Sequence, residues 1–193
     1  MLHERRIKRL PTGFIIPAQP VLASRPPSGP GWVHEIKHDG YRMIVRRDGA
    51  AVRIYSRNAN DWTARLRAIA DGAGRIKAKS FTIDGEAVVL GPDGLSRFEE
   101  LSRREATDTA ILYAFDLIEH DGEDLRNRPF LERKAALADL LRNTEARSAI
   151  PPALRCSGRG ASFGLDEPAM THIEMAANIT INSLSRVSRL KWR

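Results

Sequence analysis

Eight consecutive residues, Glu35-Ile36-Lys37-His38-Asp39-Gly40-Tyr41-Arg42, bring a carboxylate, an amine and a guanidinium into one short stretch. In an extended chain residues two apart share a face, so Val33, Glu35 and Lys37 point one way. Trp32, Ile36 and His34 point the other way, toward a core. The charged face runs straight into a turn at Asp39-Gly40 and then into Arg42, which gathers the three groups near one strand end. A lysine attacks phosphorus only as the free amine, and burial beside cations supplies that form by lowering its pKa. A guanidinium close by would hold and neutralise phosphate oxygens. The chemistry this stretch could support is therefore attack by Lys37 on a phosphate, with Arg42 holding the charge. A charged strand face is ordinarily just solvated, and Lys-x-Asp-Gly alone is a weak sign. The chain has six Asp-Gly dipeptides, at 39–40, 48–49, 71–72, 84–85, 93–94 and 121–122, and most must be plain turns.

The elements that would position these residues can be read from periodicity and turn signals. Pro11 to Pro30 carries prolines at 11, 17, 20, 26, 27 and 30, which predicts an extended segment lying along a surface. Trp32–His38 and Tyr41–Arg47 read as strands around Asp39-Gly40, and Ala51–Ser56 as another after Asp48-Gly49. Asp-Gly between apolar runs is a hairpin signal because the turn needs positive φ. Asn60 or Asp61 can cap a helix burying Trp62, Leu66 and Ile69. Phe81–Leu90 reads as a strand that closes at Gly91-Pro92-Asp93-Gly94. Asp84-Gly85 lies inside that strand pattern, where a simple hairpin turn does not fit. Ser96 and Glu99 form a capping box for a short helix burying Phe98 and Leu101. Ile111–Ile118 reads as a buried strand, Asp121-Gly122 as a turn, and Pro129 opens a helix that buries Phe130, Leu137, Leu140 and Leu141. Farther on, 166–177 reads as a helix and 178–182 as a short strand. Runs of strands with helices between them predict an α+β fold built on antiparallel sheet.

The ordered set Lys37-x-Asp39-Gly40-x-Arg42, Ser56-Arg57-Asn58, Asp84-Gly85-Glu86 and Phe115-Asp116 changes the weight of the first stretch. It resembles motifs I, Ia, III and IIIa of the covalent nucleotidyltransferases, in order and at plausible intervals. The flanking text Pro17-Ala18-Gln19-Pro20, Trp32-Val33-His34-Glu35, Gly85-Glu86-Ala87-Val88 and Arg128-Pro129 is similar to the ligase domain of bacterial end-joining DNA ligases, over residues 14 to 142. The resemblance implies antiparallel sheets flanked by helices, with a nucleotide cleft between them. It makes Lys37 the nucleophile on the α-phosphate of ATP. Glu35 would help place adenosine, Arg42 and Arg57 would hold the ribose and phosphate region, and Glu86 would orient ribose or a metal-bound water. Phe115 would supply an apolar face to adenine, although its alternation with Tyr113 and Leu117 also allows core packing. His34 and His38 read as packing or surface groups, and Asp39 and Asp116 as shaping turns and strand ends. The implied reaction adenylates Lys37, passes AMP to the 5′-phosphate of a DNA nick, and seals the nick by attack of the 3′-hydroxyl. Its cofactors are ATP and Mg²⁺, the latter held mostly by substrate phosphates. Its partners are nicked double-stranded DNA and other end-joining proteins, with the chain itself a monomer.

Composition agrees. The 193 residues carry a net charge of +7, with Arg5, Arg6, Lys8 and Arg9 near one end and Arg186, Arg189, Lys191 and Arg193 at the other. Such a surplus favours polyanions. The one cysteine, Cys156, excludes an intrachain disulfide and a cysteine metal cluster. No apolar run approaches the roughly 20 residues of a membrane span, and the N-terminus has no secretory signal pattern, so a bacterial cytosolic place is expected. The expected organisation is an entry segment over 1–30, an adenylation domain over 31–156 and a diverged segment over 157–193. A Glu-Gly motif IV, a Lys-x-Lys motif V and an oligonucleotide-binding domain are not found, which predicts a C-terminally truncated ligase of uncertain competence. Two other readings share part of the pattern: an RNA ligase or capping-type enzyme, and a non-catalytic remnant that binds nucleotide or DNA.

Overall fold

A computed structural model describes residues 10–19, 38–103, 108–145 and 154–156. Glu35, Lys37, most of the expected strand over 32–38 and both elements expected beyond 160 lie outside the described residues. Among the described residues nine elements follow in order: β1 (Tyr41–Asp48), β2 (Ala51–Ser56), α1 (Arg67–Arg75), β3 (Ser80–Val88), α2 (Phe98–Ser102), β4 (Ile111–His120), β5 (Glu123–Asp124), α3 (Phe130–Glu145) and β6 (Leu154–Cys156). They form one six-stranded sheet in the order β2-β1-β3-β4-β5, with β6 added in parallel to β4 and all other pairs antiparallel. Among the described residues no helix is long and apolar enough to cross a membrane.

One sheet face makes the core. Met43 and Val45 of β1, Phe81, Ile83 and Ala87 of β3, and Leu112, Ala114 and Leu117 of β4 pack with Ile69 and Ala73 of α1 and with Leu137, Leu140 and Leu141 of α3. Period-two alternation puts the intervening residues, Arg42, Ile44, Arg46, Thr82, Asp84 and Glu86, on the opposite face. Two hairpins close as their dipeptides predict. Gly49 takes φ 57° at the first position of a two-residue loop, and Asp121 and Gly122 take φ 50° and 89°. Asp71-Gly72 instead lies within α1, and Asp84-Gly85 within β3.

Several local expectations are overturned by tertiary contacts. No side chain caps α1, which begins at Arg67 after Leu66. The segment before it is tied to β2: Asp61 bridges Tyr55, Trp62 N–H donates to the Ile54 carbonyl (2.8 Å), and Ile54 N–H donates to Thr63 Oγ1 (2.9 Å). The helix can start only beyond these bonds. The Ser96–Glu99 capping box does not form either, because Ser96 bridges Leu90 and α2 starts after Arg97 without a side-chain cap. Phe98 is not buried. It stays 39% exposed and rests against Tyr41, with ring centroids 5.0 Å apart, while Leu101 is buried as expected. Phe130 is only half-buried and lies beneath the cations of Arg133 and Lys134. Gly40 does not supply a positive φ; it permits close approach of two strands, taken up below.

Strand β4 contains two irregularities. Asp84 faces Asp116 and Gly85 faces Ala114, so Phe115 is left unpaired, and Ile118 is likewise passed over between Leu117 and Glu119. The extra residue at Phe115 shifts the alternation by one place. Leu112, Ala114 and Leu117 all belong to the core as a result, and Phe115, though buried, does not. The expected row Tyr113–Phe115–Leu117 is therefore broken. Gly85 lies opposite this irregularity, and a β-carbon there would come within 2.7 Å of the Tyr113 carbonyl oxygen.

Candidate functional site

At the end of the sheet where β1 begins, one transverse row holds two of the expected site residues, Arg42 and Glu86. Arg42 faces Glu86 across β1 and β3, and Glu86 faces Tyr113 across β3 and β4. Ser56 faces Met43, so Arg57, exposed in the turn after β2, follows at the same end. Phe115 is two residues along β4 from Tyr113. His38 stacks flat on Tyr113, with ring centroids 3.9 Å apart and planes 3° from parallel. The residue that follows Lys37 in sequence is thus anchored to the strand beside Glu86. Of the expected site residues, the fold brings Arg42 and Glu86 together, sets Arg57 at the sheet edge and Phe115 at the bulge. Glu35 and Lys37 lie outside the described residues.

Arg42 is more tightly engaged than its sequence context suggests. Its Nε and Nη2 donate to the two carboxylate oxygens of Asp84 at 2.9 and 2.6 Å, and its Nη1 donates to the Ala18 carbonyl at 2.7 Å. The guanidinium therefore pins the entry segment to the sheet face. Phe14 adds an edge-on contact to Tyr55 (5.8 Å). Burial opposes the charge on Arg42, but the hydrogen bonds to Asp84 and the charges of Asp84, Glu86 and Asp116 outweigh it and raise its pKa. Burial pushes Asp84 upward, the Arg42 guanidinium pulls against this, and Asp116 adds to the push. The two N–H groups meet the two carboxylate oxygens fork on fork, the geometry of a strong pair.

Sequence reasoning left Asp84 out of the site, although it stands two residues before Glu86 and shares its face. Period-two alternation was a signal that could have found it. It also missed the buried pair Arg133–Asp116, with N–O distances of 2.8 and 2.9 Å, and no local pattern announces that one.

His38 is a packing group whose burial lowers its pKa from 6.5 to about 4. Because the folded value is below the unfolded one, the unfolded chain binds more protons between them. The stability that neutral His38 contributes is complete above about 6.5 and is lost as pH falls through about 4. Denaturant midpoints measured across that window are expected to drop on acidification, less steeply in His38→Asn. An unchanged slope in the variant would assign the effect to other groups.

The carboxylates are not arranged as a metal cage. No group of three or more His, Cys, Asp or Glu side chains suited to a metal occurs among the described residues. Asp84 and Asp116 are each committed to a guanidinium. Glu86 is the carboxylate of the row that faces Arg42.

Comparison with known proteins bears on this arrangement. The family described as ATP dependent DNA ligase domain matches residues 22–159. The chain is 39% identical over 131 residues to the multifunctional non-homologous end joining protein LigD of Pseudomonas aeruginosa, covering 66% of this chain and 16% of that protein. It is 40% identical over 144 residues to a probable DNA ligase of Streptomyces griseus, covering 65% of this chain and 28% of that protein. Among solved structures, the ligase domain from M. tuberculosis LigD superposes with a TM-score of 0.51 at 31% identity, over 64% of this chain and 40% of that one. The chain thus spans well under half the length of these relatives, and over that span it shares their antiparallel sheet with flanking helices. On the family match over residues 22–159, this chain belongs to the ATP-dependent DNA ligase family and carries part of its adenylation domain.

Proposed function

We propose that this chain performs the ATP-charging step of a DNA ligase, with residues 31–156 as the working unit. The observation that carries the reading is the stacking of His38 on Tyr113, which ties the neighbour of Lys37 to the row Arg42–Glu86–Tyr113. The Lys37 amine attacks the α-phosphorus of ATP. A nitrogen–phosphorus bond forms, the bond to the pyrophosphate oxygen breaks, and the amine gives up its proton. AMP on Lys37 then passes to the 5′-phosphate of a DNA nick, and the 3′-hydroxyl displaces it. Glu35 helps to place the adenosine, and Phe115 offers it an apolar face. Arg57, exposed at the sheet edge, meets the ribose and phosphates. Arg42, with three of its N–H groups already engaged, chiefly holds Asp84 and the entry segment in place beside Glu86. Mg²⁺ on the ATP phosphates, with Glu86 as its protein carboxylate, would neutralise charge on the departing pyrophosphate. The net charge of +7 suits a nicked DNA partner. The chain works as a monomer in the cytosol, alongside other end-joining proteins.

The test is incubation with α-labelled ATP and Mg²⁺, followed by denaturing gel and mass spectrometry, with Lys37→Ala beside it. Covalent label is expected on the wild type and none on the variant. GTP in place of ATP separates a capping-type enzyme. A folded wild type that takes no label from ATP would overturn the reading and leave a nucleotide- or DNA-binding remnant.

A further inference from the structure

Two buried carboxylates oppose each other in the sheet. Asp84 and Asp116 are cross-strand partners on β3 and β4, and each is 2% exposed or less. Like charges placed directly opposite repel. Each is gripped by one guanidinium from its outer side: Arg42 of β1 on Asp84, and Arg133 of α3 on Asp116. The array therefore runs plus, minus, minus, plus across three strands and a helix. Each guanidinium also holds a backbone carbonyl, Arg42 that of Ala18 and Arg133 that of Arg128 (2.6 Å). Arg42 already feels the charge of Asp116 as well as that of Asp84.

We propose that Arg133 is a positioning residue for the nucleotide site, because by satisfying Asp116 it leaves Arg42 undivided, held on Asp84 beside Glu86. This rests on the reading that the Arg42–Glu86 row serves the reaction at Lys37. With Arg133 gone, Asp116 competes with Asp84 for Arg42 and draws it from the Ala18 carbonyl and from Glu86. The other charged groups nearby do not substitute. Glu86 and Glu119 add negative charge, and Glu119 is taken up by Ser80, Thr82 and the Gly122 N–H. Lys134 lies over the Phe130 ring.

The experiment compares the full chain with Arg133→Gln and with Arg133→Gln/Asp116→Asn, which removes the opposing charge too. Two readouts are taken: the rate of lysyl-AMP formation at saturating ATP, and the Arg42 Nε–H resonance by ¹⁵N NMR, assigned with Arg42→Lys. Arg133→Gln is expected to shift the resonance and slow adenylylation on the order of tenfold, as misplacement of a site does. The double variant is expected to restore both, which a merely structural role for Arg133 would not produce. Should Arg133→Gln fail to fold, the double variant carries the test. An Arg133→Gln protein like the wild type in both readouts overturns the inference. So does a double variant that is unfolded, or folded and still slow. If the wild type forms no lysyl-AMP at all, the proposed function falls, while the Arg42 resonance still decides whether Arg133 holds Arg42.

Discussion

Arg42→Ala is expected to destabilise the protein by about 3–5 kcal/mol, the usual result of stripping one partner from a buried ion pair. The carboxylate left behind, Asp84, is 1% exposed and faces Asp116. Burial, with Asp116 adding to it, then pushes its pKa up, with no guanidinium to oppose it. A carboxyl whose folded pKa lies above its unfolded value favours folding when protonated, so the loss should be greatest at neutral pH and shrink on acidification. Folded chains measured at low denaturant should also form lysyl-AMP slowly, because Glu86 loses its cross-strand neighbour and Ala18 its donor. Denaturant unfolding of Arg42→Ala, Asp84→Ala and the double variant checks the argument. The double variant should lose clearly less than the sum of the singles, since it leaves neither charge stranded. Additive losses would mean that the two side chains do not act as a pair.

Gly40→Ala should damage activity more than stability. A β-carbon at Gly40 would overlap the Ala87 carbonyl oxygen and lie 2.8 Å from Val88 Cγ1. The first obstacle is backbone near the end of β3, paired on both sides, which cannot rotate away. The start of β1 must instead move, at the point where Tyr41 pairs with Ala87 and Arg42 with Glu86. A strand end displaced by about 1 Å carries Lys37 and Arg42 out of line together, and lysyl-AMP formation is expected to fall on the order of a hundredfold. Stability should fall by about 1–3 kcal/mol, as for other overpacked sites. Gly94→Ala is the control. Gly94 has φ 74° but open space where a β-carbon would stand, so the added methyl group meets only backbone strain. If both variants retain wild-type adenylylation rates, the close approach at Gly40 has no part in the site.

Much of this molecule can be read along the chain. Strands β1, β2 and β4 start within a residue of where alternation puts them, and the hairpins at Asp48-Gly49 and Asp121-Gly122 follow from the turn conformations those residues permit. The placing of Asp84-Gly85 inside a strand, and the family itself, were also legible, because an ordered series of short motifs survives without any knowledge of contacts. The first turns of α1 and α2 were not. Their capping residues carry the right chemistry, yet Asp61 and Ser96 are drawn into bridges with Tyr55 and Leu90, and a tertiary bond displaces a local one.

The same division runs through the site. Sequence alone determined the residue types and their order: an amine at 37, guanidiniums at 42 and 57, a carboxylate at 86 and a phenyl ring at 115. Only the tertiary structure decided that Phe115 is a bulge outside the core row, since alternation cannot register an extra residue that opposes nothing on the neighbouring strand. Only it joined Arg42 to Asp84 across 42 residues and Arg133 to Asp116 across a turn and a helix start. Local periodicity records which face a side chain takes. Which opposite charge meets it there depends on strand order and register, and these come from packing the whole sheet.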